Sequence, residues 1–195
     1  MNRFTSFLAI PVFAAILAVP PTSHRTGAST FREEVRGLSV FADGYPASLG
    51  ANDAFVAVPV AIALMRTGAS VAFTLESFTL ADSRGNRAPA AGFQEVSNGY
   101  PKLGFDRALI HARQIAIGST IVDRPRIASS FYPPAGSETR IPRVELGPFS
   151  WFSDVIYFPR PPAGVVGVMT LSVAVPGASP IDVRLLMSRD ELAKR

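Results

Sequence analysis

Residues 54–86, AFVAVPVAIALMRTGASVAFTLESFTLADSRGN, decide how this chain folds. Val56, Val58, Val60, Ile62 and Leu64 recur at period two, while Phe55, Ala57, Pro59, Ala61 and Ala63 fill the other phase. Side chains alternate faces along a strand, so two apolar phases over this length predict a long, mostly buried β-strand. Thr67, Gly68 and Ala69 then read as a turn, and Val71, Phe73 and Leu75 resume the alternation on a returning strand. The inward set jumps phase at Glu76 and Ser77 to reach Phe78 and Leu80, as one extra residue in a β-bulge would cause. Asp82-Ser-Arg-Gly-Asn86 closes the stretch as a turn, and the pair of strands predicts a β-sandwich.

Outward from this stretch, residues 35–41 read as a first strand with Leu38 and Val40 on one face, and 93–96 as a short strand. Residues 104–118 break the β pattern. Phe105, Leu109, Ala112 and Ala116 form a helical stripe, Asp106 complements the helix dipole in the first turn, and Gly118 is placed to stop it. Strands resume at 127–131 and 141–146, and an aromatic run follows at 149–158, ended by Pro159, Pro161 and Pro162. Met169, Leu171, Val173 and Val175 pair in pattern with Ile181, Val183, Leu185 and Met187, and Ser188-Arg-Asp-Glu191 fits a capping box. About seven to nine short strands at this spacing predict an all-β, Greek-key β-sandwich with one short helix. It forms one domain over residues 35–188, with a C-terminal tail at 189–195.

Phe78-Thr-Leu-Ala-Asp-Ser-Arg-Gly-Asn86, after a long strand and an alternating return, resembles the solitary immunoglobulin-like domains of exported bacterial proteins, where such a segment closes a β-hairpin. The resemblance covers residues 54–90. It implies an immunoglobulin-like sandwich with a non-catalytic, interaction-type role, and it brings no catalytic residues to carry over. The helix expected at 104–118 and the proline-rich segments depart from a minimal domain of that kind.

The N-terminus carries an address. Met1-Asn2-Arg3 precedes the apolar run 4–19, and Pro20-Pro21 follows, which is the pattern of an export signal. Its cleavage site is weak, with Thr26-Gly27-Ala28 the nearest small-x-small substitute. As a helix the run would reach about 24 Å against a hydrocarbon core of about 30 Å, so residues 1–22 are read as a signal peptide or an uncleaved membrane anchor. With Arg3 on the cytoplasmic side, either choice places the domain beyond the membrane, in the periplasm of a bacterial envelope. Residues 23–34 have no periodic apolar pattern and read as a tether. The 195 residues include no cysteine, which excludes disulfides, thiolate metal sites and cysteine nucleophiles.

The net charge of +4 does not point to nucleic acid. Residues 1–27 contain Arg3 and Arg25 and no acid, which leaves 17 of the 19 basic groups against all 15 acids, a net +2. Arg124, Arg126, Arg140 and Arg143 alternate with Asp123, Glu138 and Glu145 instead of forming the basic face that phosphate binding needs. The charged fraction of 17% is low for a soluble domain and favours a partner or a nearby membrane.

Nothing in the chain spells a catalytic centre. Beyond the leader and tether, His111 is the single histidine, and at roughly 100° per residue it lies about 120° off the helical stripe. One histidine without cysteine makes no zinc or copper site. Asp82-Ser-Arg-Gly-Asn86 lacks the acids of a calcium loop, and no glycine-rich phosphate loop occurs. No cofactor is expected, nor an enzyme. The candidate surface is the aromatic strand. Trp151 and Tyr157 fall on one face, Phe152 and Phe158 on the other, with Arg160 beside them, and exposed aromatics next to arginine anchor protein interfaces. The alternative is that both faces are buried.

The chain therefore reads as a non-catalytic extracytoplasmic accessory subunit that binds protein partners at or near a membrane. If residues 4–19 are retained as an anchor, an integral-membrane photosynthetic, respiratory or secretion complex is the partner to look for. The alternative is a soluble exported binding module for a carbohydrate or a small apolar ligand at Trp151 or Tyr157.

Overall fold

The computed structural model describes residues 24–25, 30–44, 54–68, 70–106, 108, 123–133, 136, 139–161 and 167–186. The signal or anchor segment, His111, the body of the 104–118 helix and the capping box at 188–191 lie outside the described residues.

The period-two stretch forms the strand expected of it. β4, Phe55–Leu64, pairs along its whole length with β9, Ser150–Pro159, on one side, and with β3, Leu38–Asp43, on the other. Two outer strands, β2 at Thr30–Val35 and β1 at His24–Arg25, complete a five-stranded antiparallel sheet in the order β1-β2-β3-β4-β9. The segment read as a tether over 23–34 thus supplies both of these strands. β2 reaches β3 through a two-residue hairpin turn at Arg36 and Gly37.

The second sheet has the order β11-β10-β6-β7. It joins β6, Phe78–Ala81, and β7, Arg87–Pro89, to β10, Val168–Val173, and β11, Ile181–Leu186. All its pairings are antiparallel. The expected turn closes the β6–β7 hairpin. Asp82 Oδ1 accepts from the backbone N–H groups of Arg84 and Asn86, each at 2.9 Å, and Asp82 Oδ2 accepts from the Asn86 amide at 2.8 Å. These bonds, led by the Asn86 side chain, hold the Asp82 carboxyl below its ordinary range. They use the carboxylate as a turn acceptor.

The two sheets share one core. Val56, Val58, Val60, Ile62 and Leu64 meet Phe78, Leu80, Met169, Leu171, Val173, Val183 and Leu185, all nearly inaccessible. Between the sheets Phe73, Phe78, Phe131 and Phe152 form a closed ring of aromatic contacts. Successive centroids lie 6.4, 6.1, 6.3 and 5.6 Å apart, within the range of favourable aromatic pairs.

Three local expectations are corrected. The returning strand β5, Val71–Phe73, does not pair with β4 but with β8, Val144–Leu146. β4 has both edges occupied by β3 and β9, so the chain must leave the sheet. The phase jump at Glu76 and Ser77 is a 3-10 turn over Leu75–Ser77 and not a bulge. Ser77 Oγ accepts from the Thr74 N–H at 3.1 Å, and the Ser77 N–H donates to the Thr74 carbonyl. Finally, the strand expected at 93–96 is helix α1, Phe93–Gly99. Phe93, Val96 and Tyr100 are the half-buried or buried positions there, at spacings of three and four, a helical stripe that a four-residue window misses. Residues 103–106 are helical, in keeping with the start of the helix expected at 104–118.

Candidate functional site

The aromatic strand β9 is committed to its own chain. Phe152 and Phe158 are fully buried on the core face, and Tyr157 on the opposite face is 1% exposed. Trp151 is 8% exposed, packed with Phe41, Ala61 and Ala63, where the small residues of β4 leave room for it. Residues 124–131 lie along the outer edge of β9 and seal it. Trp151 exchanges backbone hydrogen bonds with Pro125 and Ile127, and its indole N–H donates to the Arg124 carbonyl at 3.0 Å. The Arg126 guanidinium stands 5.3 Å over the indole and donates to Ser153 Oγ at 3.1 Å. Farther along, the Phe131 N–H donates to Asp154 Oδ2 at 2.9 Å. An edge strand sealed in this way offers no free ladder to another chain.

Of the two aromatic faces, Phe152 with Phe158 fills the core, and Trp151 with Tyr157, the face that could have stood exposed, is covered by contacts that lie far off in sequence. Arg160 is half-buried at the end of the strand. Because Trp151 is the single tryptophan of the chain, its fluorescence tests this directly. Iodide is expected to quench the native protein much less than N-acetyltryptophanamide, with equal quenching once the chain is unfolded. Equal quenching in the native state would mean that residues 124–127 do not cover the ring.

The same outer face holds a buried polar cluster. Asp106, 6% exposed, accepts through Oδ2 from the hydroxyls of Tyr100 at 2.8 Å and Tyr157 at 3.1 Å. The Tyr157 ring lies 5.2 Å from Tyr100 and 5.0 Å from Tyr132, whose hydroxyl donates to the Ala91 carbonyl at 2.7 Å. Burial, and then the neighbouring Asp106 charge and its hydrogen bond, push the Tyr157 phenol far above its ordinary value; burial does the same to Tyr132. This arrangement pins the 100–106 segment to β9. Its side chains are nearly inaccessible to solvent, and among the described residues no group of three His, Cys, Asp or Glu is placed to hold a metal ion.

Among the described residues, loops from distant parts of the chain also enclose open concavities. A groove of about 520 Å³ lies between the 3-10 turn, the start of α1 and the approach to β8. Pro89, Phe93 and Pro142 give it apolar walls, while Glu76, Arg140 and Arg143 line it as charges. The Arg140 guanidinium stacks 5.0 Å above the Phe93 ring, which holds its planar fork in place. The second is a pocket of about 100 Å³ between the β2–β3 turn, the end of β4 and the β10–β11 loop, with Arg36 and Arg66 on its lining. Arg36 sits at φ +51°, in a hairpin position that favours glycine or asparagine. A side chain there costs about 1–2 kcal/mol. The next residue, Gly37, has φ +76°, and a Cβ on it would lie 3.1 Å from Arg66 Cβ, so the absent side chain lets the Arg66 stem lie against the turn.

No protein-family model, no curated protein and no solved structure matches this chain. Its own geometry must then carry the functional reading. Both concavities escape a reading of local pattern, because each joins loops separated by tens of residues. The one local signal is arginine in a turn position where Asn-Gly is the common choice, at Arg36-Gly37.

Proposed function

We propose that this chain is a non-catalytic accessory subunit on the far side of a membrane, and that it holds a protein partner in the groove between Phe93, Arg140 and Arg143. The observation that carries the reading is the Arg140–Phe93 stack beside a second exposed arginine in an open, proline-walled groove. Arginine and aromatic residues are enriched where binding energy concentrates in protein interfaces. A guanidinium already held on a ring presents its N–H fork to a carboxylate at little further entropic cost. The occupant is an extended segment of the partner that carries an aspartate or glutamate, matching two arginines that face one acid, Glu76, among the described residues of the groove lining.

The immunoglobulin-like Greek key is part of the same proposal. Taking β3, β4, β6, β7, β9, β10 and β11 as successive strands, the pairings 3-4-9 and 11-10-6-7 correspond to the A-B-E and G-F-C-C′ order of that fold. Residues 90–149 then form one long insertion between C′ and E, and they contribute both the cover over β9 and most of the groove. The extracytoplasmic address rests on Arg3 ahead of the apolar run 4–19. Among the described residues no helix is long and apolar enough to cross a membrane. The carbohydrate alternative has less support, since Trp151 and Tyr157 are buried and one face of Phe93 carries Arg140.

A photo-crosslinking amino acid in place of Phe93, in the full chain expressed in its native cell, tests this reading. One discrete adduct with an envelope protein is expected, and Arg140→Glu with Arg143→Glu is expected to reduce it at least about tenfold, as loss of two charge-assisted contacts implies. Absence of an adduct, or one indifferent to charge reversal, would overturn the assignment. The intact mass of the chain in membrane and soluble pools checks the address, because retention of residues 4–19 in the membrane pool makes it an anchored subunit.

A further inference from the structure

The pocket at the opposite end of the β5–β8 pair, between the β2–β3 turn and the β10–β11 loop, has its own chemistry. Leu38, Val71, Val175 and Ile181 line it with aliphatic surface, and Arg36 and Arg66 are the charged residues among the described lining. Among the described residues no acid lines it, and neither guanidinium is engaged by a carboxylate. Both arginine side chains are exposed at the pocket, and two positive charges on one lining attract an anion. The fold also holds Arg36 in a left-handed turn position that asparagine or glycine would occupy with less strain.

We propose that this pocket binds a carboxylate borne on a short branched aliphatic group. The two guanidinium groups clasp the carboxylate oxygens, and the aliphatic group enters between Leu38, Val71 and Ile181. The pocket, about 100 Å³, has room for an isobutyl-sized group against its aliphatic wall. A peptide C-terminus ending in valine or leucine and a free branched-chain acid share this chemistry.

The test titrates the full chain by calorimetry with three probes: acetyl-Gly-Ser-Val bearing a free carboxylate, the same peptide as its C-terminal amide, and isovalerate. An acid is expected to bind at about 0.1–1 mM, as one bidentate anion contact plus a buried aliphatic group allows, and the amide is expected to bind at least about tenfold more weakly. Tighter binding of the peptide acid assigns the pocket to a protein C-terminus, and equal or tighter binding of isovalerate assigns it to a free acid. Arg66→Gln, which keeps most of the stem over Gly37, is expected to weaken binding about tenfold or more. Arg36→Asn should do the same while raising the melting temperature by about 2–4 °C, because it relieves the turn. Loss of binding in a more stable protein separates a binding role from a structural one. The proposal is overturned if neither acid binds, if the amide binds as well as the acid, or if both variants keep full affinity.

Discussion

Phe152→Ala is expected to lower the unfolding free energy by about 3–5 kcal/mol, the usual cost of emptying a buried phenylalanine site. The high end is the better expectation here. The Phe152 ring is fully buried, 5.6 Å from Phe73 and 6.3 Å from Phe131, and it is the β9 member of the ring of phenylalanines that joins the two sheets. Phe73 belongs to β5, Phe78 to β6, and Phe131 to the segment that seals β9, so no single element can shift to fill the cavity without breaking another contact. For a domain of this size the loss corresponds to a fall of about 10 °C in melting temperature. Phe105→Ala is the matched control. That ring is 65% exposed, and its removal should change stability by less than about 0.5 kcal/mol. Thermal melts of the two variants decide the matter: equal losses would mean that Phe152 does not bridge the sheets.

Raising the pH above 10 is expected to unfold the protein at a steep slope. Tyr132 and Tyr157 both have phenols pushed above their ordinary value of 10.0 in the folded chain, chiefly by burial. The unfolded chain gives up those protons near pH 10, whereas the folded chain keeps them. Stability is therefore fully present below pH 10 and falls as pH rises above it. Each buried phenol contributes a slope of about 1.4 kcal/mol per pH unit, so the pair removes about 4 kcal/mol between pH 10 and 11.5. Urea unfolding at pH 9, 10.5 and 11.5 reads the slope, and tyrosinate absorbance should show both phenols ionising only as the fold is lost. Tyr132→Phe should halve the slope. Tyr157→Phe should also halve it, and in addition lower stability near neutral pH by about 1.5–3 kcal/mol, because the buried Asp106 loses a donor. Unchanged stability at pH 11.5, with every tyrosine titrating near pH 10, would refute the closed cluster.

Both effects centre on β9, through Phe152 on its inner face and Tyr157, against which Tyr132 packs, on its outer face. The alternation of Trp151 and Tyr157 against Phe152 and Phe158 places them correctly on two faces of β9. It carries no information about what lies over the outer face. That cover comes from residues 124–131, about 25 positions away, and from the 100–106 segment, about 50 away, through hydrogen bonds to Arg124 and Asp106. The surface expected at Trp151 was displaced for that reason, and the groove at Phe93 and Arg140 took its place as the candidate site.

Local physics was enough for the sequence by itself to determine the length and inward face of β4, the Asp82–Asn86 turn, and the inward faces of β10 and β11. A period of two and the hydrogen-bonding of one aspartate are complete within a few residues. The tertiary structure alone decided that β5 turns to β8, that β9 is sealed along its edge, and that Arg36 and Arg66 share a pocket. Each of these depends on which edge or face is already occupied by a distant part of the chain, and such competition is settled only when the sheets close on their common core.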